Sequence, residues 1–96
     1  MTTARTYSRN DREWKNLNAV AKMLEAQSKN GYRYEVEDCY FDYGQDWMFT
    51  TIICHGRNAN WQVGCPRDWS RIVEAESLEE LTDVANTIRH GSFYGD

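Results

Sequence analysis

Apolar residues recur at intervals of three and four near the start of the chain. They are Trp14, Leu17, Val20, Ala21 and Leu24. This spacing puts them on one stripe of an α-helix. We predict a first helix that begins at Asn10 or Asp11 and ends near Lys29, where an Asn-Gly pair supplies residues that tolerate the left-handed conformation beyond a helix end.

A second helical stripe lies toward the other end of the chain. It consists of Leu78, Leu81, Val84, Ala85 and Ile88. Ser77 precedes the stripe, and Glu80 is three positions after Ser77. This is the capping-box pattern that begins many helices. We predict that this helix ends at Gly91.

Between the two helices the pattern changes to the two-residue alternation of β-strands. Tyr32–Phe41 is the predicted first strand, with a bulge near residues 37–38 where the alternation slips. Trp47–His55 offers apolar residues to both faces and is the predicted central strand. A turn centred on residues 44–45 would pair Cys39 with Thr50 or Thr51. Residues 61–65 form a short third strand, and proline follows it.

The segment at 67–76 fits neither pattern well. Trp69, Ile72 and Val73 are expected to pack under the sheet, and Arg71–Ala75 is a candidate fourth strand. The pattern as a whole predicts an α+β fold in the order α-β-β-β-α, with a three- or four-stranded antiparallel sheet and two helices on one face. We expect one domain over residues 1–96, with residues 1–9 and 92–96 as flexible ends.

Composition supports a folded chain in a reducing compartment. The mean hydropathy of -0.81 would suit disorder, but aromatic residues make up 14% of the chain and include four tryptophans, which supply a core. No apolar run approaches the length of a membrane helix, and Met1–Asn10 lacks the apolar centre of a secretory signal. Three cysteines without a paired spacing fit the cytoplasm, which is the expected location.

Motifs for catalysis or metal binding are not apparent. Cys54 and His55 are neighbours on a predicted strand, so their side chains point to opposite faces. The cysteines, with His55 and His90, lack the short paired spacings of structural zinc sites. Glu35 and Glu37 share a strand face and form a candidate acid/base pair, but solvated carboxylates are the commoner reason for that pattern. We therefore expect a non-enzymatic protein with no cofactor and no metal.

Charge is segregated along the chain. Residues 1–33 carry seven Lys and Arg against three Asp and Glu, whereas residues 34–56 carry five acids and no Lys or Arg. Residues 73–88 carry another five acids, again with no Lys or Arg. Such segregation selects oppositely charged partners.

The predicted first hairpin combines its acids with aromatic residues. Aromatic rings beside carboxylates are suited to holding Arg or Lys of another protein. We therefore predict a protein-binding surface that engages a basic partner. Its predicted members are Glu35, Glu37, Tyr40, Asp42, Tyr43, Asp46 and Trp47. Two competing interpretations are that Tyr40 and Trp47 only cap the sheet edge, and that a homodimer forms through that edge or through exposed aromatic residues.

Three segments resemble the double-stranded-RNA-binding domain in residue type and order: Tyr34–Glu37, Gly44–Thr50 and His55–Arg57. The resemblance implies the α-β-β-β-α order and an RNA-binding role. It does not extend to that family's lysine-rich start of the second helix, because residues 77–80 include two glutamates, which repel phosphate. The nucleic-acid-binding alternative therefore uses the basic first helix, with Arg5, Arg9, Arg12 and Lys15 as contacts.

In size and charge the chain also resembles phage-encoded inhibitors that occupy the nucleic-acid-binding surfaces of host defence enzymes. This resemblance implies an inhibitor that engages a basic surface of its target. The sequence thus predicts a protein-binding module first. Nucleic-acid binding is the second interpretation, and a small-ligand pocket between helices and sheet is the third.

Overall fold

A computed structural model of the chain describes residues 11–29, 31–42 and 46–88. The elements are α1 (Asp11–Gln27), β1 (Arg33–Asp42), β2 (Asp46–His55), β3 (Asn60–Val63), α2 (Pro66–Glu74) and α3 (Leu78–Thr87). The strands form an antiparallel sheet in the order β1-β2-β3. The predicted α+β fold is confirmed, and a third helix joins the two that the sequence indicated. No helix in the described ranges is long and apolar enough to cross a membrane.

Helix α2 lies where the sequence pattern was ambiguous. The prediction of a fourth strand over Arg71–Ala75 is wrong, because most of this stretch belongs to α2. Pro66 occupies the first turn, where a missing backbone N–H removes no hydrogen bond. The Asp68 carboxylate accepts a hydrogen bond from the backbone N–H of Cys65 at 2.9 Å and so caps the helix start.

The apolar residues of α2 show why the helix forms. Trp69, Ile72 and Val73 are separated by three and then one position, which places them on one helical face. Ile72 is fully buried in the core, and Val73 packs against it. The indole N–H of Trp69 donates a hydrogen bond to the Val63 carbonyl at 3.0 Å, and this contact ties α2 to the end of β3.

The other two helices lie close to their predicted positions. Helix α1 ends at Gln27, two residues before the predicted end. Helix α3 begins as predicted: the Ser77 hydroxyl accepts a hydrogen bond from the Glu80 backbone N–H at 3.1 Å. Its last helical residue is Thr87, and the predicted end at Gly91 lies outside the described residues.

The pairing of β1 with β2 is continuous, from Arg33 opposite His55 to Asp42 opposite Asp46. The bulge predicted near residues 37–38 is therefore wrong, because each residue there has its own partner on β2. The predicted partner of Cys39 was also wrong by at least one position, since Cys39 pairs with Phe49. The bulge was predicted because apolar residues follow on the same face of β1 as the glutamates. Apolar residues are compatible with that face without a bulge, because Ile53, the partner of Glu35, is buried there.

The core lies between one face of the sheet and all three helices. Its members from the sheet are Tyr34, Ile52, Cys54, Trp61 and Val63. The helices supply Leu17, Val20, Ala21, Leu24, Ile72, Leu81, Val84 and Ala85, together with Ala75 just after α2 and Ile88 just after α3. Successive residues of a strand point to opposite faces of the sheet. Glu35 and His55, which are next to core residues in β1 and β2, are therefore turned away from the helices.

The turn between β2 and β3 requires glycine. A Cβ atom at Gly56 would lie 2.5 Å from the nearest ring atom of Trp61, a distance that real Cβ contacts do not show. The Trp61 ring is held in place from another side by Tyr32, whose ring meets it edge-on with centroids 6.2 Å apart. Gly56 thus lets a large core residue pack directly against the turn.

One buried amide joins two of the helices. Asn16 of α1 donates two hydrogen bonds from its side-chain nitrogen, to the carbonyls of Ile72 and Ala75, each at 3.0 Å. These carbonyls lie at the end of α2, where a helix leaves carbonyl groups without partners inside the helix. Asn16 therefore satisfies the end of α2 and fixes its position against α1.

Asn16→Ala should destabilise the protein by about 1–3 kcal/mol. The buried Ala75 carbonyl loses its Asn16 partner, and the Ile72 carbonyl keeps only the backbone N–H of Ala75. Asn18→Ala is the matched control: its amide makes an exposed hydrogen bond to the Trp14 carbonyl within the same helix, and its loss should change stability by less than about 0.5 kcal/mol. Urea unfolding followed by tryptophan fluorescence measures both values. Equal effects of the two substitutions would contradict the role given to Asn16.

Candidate functional site

The predicted protein-binding residues lie mainly on the paired strands β1 and β2. Tyr40 pairs with Met48, and Asp42 pairs with Asp46, which is followed by Trp47. The structure thus gives the strand positions of these residues, while their side chains, and the whole of Tyr43, lie outside the described part. The other two members are Glu35 and Glu37, whose side chains are described and partly exposed.

Strands β1 and β2 extend well past the third strand. Each has ten residues, but β3 pairs only with Ile52–His55. In the described ranges, the remaining part of β2 therefore has a strand neighbour on one side only. We call this two-stranded segment, residues 37–42 paired with 46–51, the free ribbon.

The outer edge of β1 is capped where it passes α1. The carboxylate of Glu25 accepts a hydrogen bond from the backbone N–H of Tyr34 at 3.0 Å. Backbone groups of alternate residues point to the same edge of an antiparallel strand. Positions 36, 38, 40 and 42 therefore present their N–H and C=O groups to this edge, and no strand in the described part pairs with it.

An open groove of about 420 Å³ runs between α1 and β1. Its lining includes charged side chains of both signs: Lys22, Glu25, Arg33 and Glu35. Sites for small ligands are typically enclosed and largely apolar, with a few polar groups. This groove lies between helix and sheet, where the small-ligand alternative expects a pocket. Its open form and charged lining do not favour binding of a small ligand.

A cluster of ionisable side chains lies on the face of the sheet that is turned away from the helices. His55 Nε2 lies 2.8 Å from Glu37 Oε2 and 3.2 Å from Glu35 Oε1. Arg33 Nε donates to the other oxygen of Glu35 at 3.0 Å. We refer to Glu35, Glu37 and His55 as the His55 cluster.

Strand pairing brings the three members together. Arg33 is the direct partner of His55, and Glu35 and Glu37 follow on the same face of β1 at steps of two residues. The prediction that Cys54 and His55 point to opposite faces is confirmed, because Cys54 is fully buried in the core while His55 lies in the cluster. A hydrogen bond between these two neighbours is therefore ruled out as a source of catalysis.

The sequence interpretation missed this grouping. The sequence pattern indicates Glu35 and Glu37 as a pair, but it does not indicate His55 as their partner. The available signal was the histidine at the end of the next strand, and finding it required the correct register. With the predicted turn centre, the register is displaced by at least one residue, and a one-residue displacement moves a strand's side chains to the other face.

A buried hydroxyl lies beside the cluster. Thr51 is the direct partner of Glu37 and shares its face of the sheet. Its side chain is fully buried, and its Oγ1 has no hydrogen-bond partner among the residues that the structure describes. An unpaired buried hydroxyl is unfavourable, so this position stands out among the described polar groups.

The described basic residues of α1 lie on the exposed surface of the helix. Arg12, Lys15 and Lys22 are exposed, and at about 100° per residue they fall on the side of the helix away from Leu17, Val20 and Leu24. Arg12 also donates to the Val73 carbonyl at 3.4 Å. The other two predicted nucleic-acid contacts, Arg5 and Arg9, lie outside the described residues.

Comparisons with known protein families, with curated proteins and with solved structures found no match. The resemblance to the double-stranded-RNA-binding domain thus rests on local residues and element order. Helix α2 departs from that order, because it is inserted between β3 and the final helix.

Proposed function

We propose that this chain is a non-enzymatic protein-binding module whose free ribbon engages a basic surface of a partner. The observation that carries the proposal is the extension of β1 and β2 past β3. This extension lies within residues 34–56, which carry five acids and no Lys or Arg. Extended shape and single-sign charge therefore coincide.

Charge repulsion within the ribbon supports a basic partner. Asp42 and Asp46 are directly opposite each other, and like charges in that position destabilise a sheet by roughly 0.2–1 kcal/mol. Lysine or arginine from a partner would remove this repulsion on binding. The same charges would accelerate the encounter with a basic surface and repel acidic proteins.

The backbone edge of the ribbon offers a second kind of contact. An unpaired strand edge accepts an added strand from another protein through main-chain hydrogen bonds. A second copy of this chain would bring one acidic ribbon against another, which is electrostatically unfavourable. The free edge and its charge together therefore favour a basic partner over a homodimer.

A basic surface that receives the ribbon is also suited to nucleic acid. If the partner's surface binds nucleic acid, the module competes with it, which is the mode of action of the phage-encoded inhibitors that this chain resembles in size and charge. This narrower role as an inhibitor is part of the proposal and depends on the identity of the partner.

The double substitution Asp42→Lys and Asp46→Lys should abolish partner binding, because it reverses the charge at the end of the ribbon. The measurement is affinity capture with the tagged chain from a nuclease-treated lysate. A partner of the ribbon is a protein that wild type retains at a fixed stoichiometry and this variant loses.

The control is Glu74→Lys with Glu79→Lys, which changes the net charge equally but alters exposed helical positions. The control should retain the partner. If both variants lose the protein equally, the interaction depends on net charge and the ribbon proposal is wrong. Loss of all captured proteins on nuclease treatment would also count against it.

The exposed basic residues of α1 favour one second candidate function, which is binding of nucleic acid. Lys15 and Lys22 are two helical turns apart on the outer side of α1, so they can contact phosphates along one backbone. The acidic ribbon is not part of this surface. The second candidate is therefore testable separately from the first.

Under the second candidate, Lys15→Gln with Lys22→Gln should reduce the slope of log affinity against log salt by about two, since each lost phosphate contact contributes about 0.9. Fluorescence anisotropy with a labelled duplex of RNA or DNA measures the slope. Arg57→Gln with Arg67→Gln removes the same charge from exposed positions elsewhere and should leave the slope unchanged. Equal reductions would indicate non-specific attraction, and no measurable duplex binding would eliminate this candidate.

A further inference from the structure

We propose that Glu35, Glu37 and His55 bind a divalent metal ion of the zinc class on the face of the sheet that is turned away from the helices. Each residue offers one ligand atom, and the three ligand atoms lie within 4.8 Å of one another. One imidazole and two carboxylates are a donor set that Zn²⁺ accepts. Glu35 and Glu37 are also predicted protein-binding residues, but metal binding by the cluster does not require a protein partner.

Two of the three separations between the donor atoms match those around a single ion. Zinc–nitrogen and zinc–oxygen bonds of about 2.0–2.2 Å place neighbouring ligand atoms about 2.8–3.6 Å apart, from octahedral to tetrahedral angles. The imidazole nitrogen of His55 lies 3.2 Å from the Glu35 oxygen and 2.8 Å from the Glu37 oxygen. Small rotations of exposed glutamate side chains are enough to admit the ion.

The ligands are held by paired strands and by a supporting side chain. All three come from β1 and β2, whose pairing is regular through this region. Arg33 binds the second oxygen of Glu35 and thereby directs the first toward His55. Outer contacts of this kind orient ligands and raise metal affinity.

Thr51 provides a second and independent observation at the same place. Its hydroxyl is buried on the face that it shares with Glu37, and it has no hydrogen-bond partner within the described ranges. A metal ion with three protein ligands retains water at its open position. Such water would give the Thr51 hydroxyl a hydrogen-bond partner that the described residues do not supply.

The histidine decides which ions fit. Magnesium and calcium prefer sites made of oxygen ligands, whereas imidazole suits zinc and the neighbouring transition metals. The bound ion would link β1 to β2 at the base of the free ribbon. We therefore expect zinc or cobalt, but not magnesium, to bind and to raise the melting temperature.

The alternative is an ion pair in which a proton on His55 is shared with the carboxylates. This arrangement produces the same short distances without a metal. The chain also carries three cysteines and His90, which could bind zinc at other positions. The experiment must therefore distinguish metal binding by the His55 cluster from an ion pair without metal and from zinc binding by the cysteines or His90.

Cobalt and zinc titrations of the full chain test the proposal, with visible absorption for cobalt and calorimetry for zinc. Wild type should bind one ion, with d–d absorption but without the thiolate-to-cobalt charge-transfer band that cysteine ligands produce. Glu37→Gln and His55→Gln should each weaken binding at least about tenfold, the loss known even for outer-shell partners. His90→Gln is the matched control and should bind as wild type does.

Any one of the following results would overturn the proposal. They are no saturable binding by wild type, a thiolate band, and affinity that falls equally in His55→Gln and His90→Gln. The Glu37 side chain is 41% exposed, so Glu37→Gln should fold even if His55→Gln does not, and circular dichroism verifies this. If folded Glu37→Gln binds as tightly as wild type, the cluster is an ion pair only.

Discussion

The hydrogen bonds from Asn16 to the end of α2 determine how the helices cover the sheet. Helix α2 has nine residues, which is too short for a helix to be stable by itself in water. It persists because Ile72 and Ala75 are buried and because the amide of Asn16 binds their carbonyls. With α2 fixed against α1, all three helices share one face of the sheet. The opposite face is then left for other roles.

This difference between the two faces of the sheet explains why the polar side chains of the His55 cluster lie on the face away from the helices. A sheet residue next to the helices must be apolar, and Tyr34, Ile52 and Cys54 are. On the other face Glu35 and His55 carry no such constraint, and strand pairing brings them within 3.2 Å of each other. The free ribbon has the same origin, since β3 ends at Val63 and leaves the rest of β2 without a neighbour on that side in the described ranges.

The sequence predicted the elements whose patterns are local and missed those that depend on pairing or on tertiary contacts. Helix α1 and the Ser77 cap followed from spacing and residue type alone. Helix α2 did not, because its short apolar pattern is ambiguous until Asn16 and the core are in place. The His55 cluster depends on a register that the turn sequence left uncertain by one residue, and such an error reverses the faces.

Charge compensation differs between the two ends of the β1–β2 pair. At the base, Arg33 contacts Glu35, and the imidazole of His55 contacts both Glu35 and Glu37, so the protein supplies polar partners to its own carboxylates. At the far end, the register sets Asp42 opposite Asp46, in a segment where the sequence holds no Lys or Arg. A small cation fits the base because its ligands already converge there. The proposed basic partner would supply positive charge at the far end, because residues 34–56 hold no Lys or Arg.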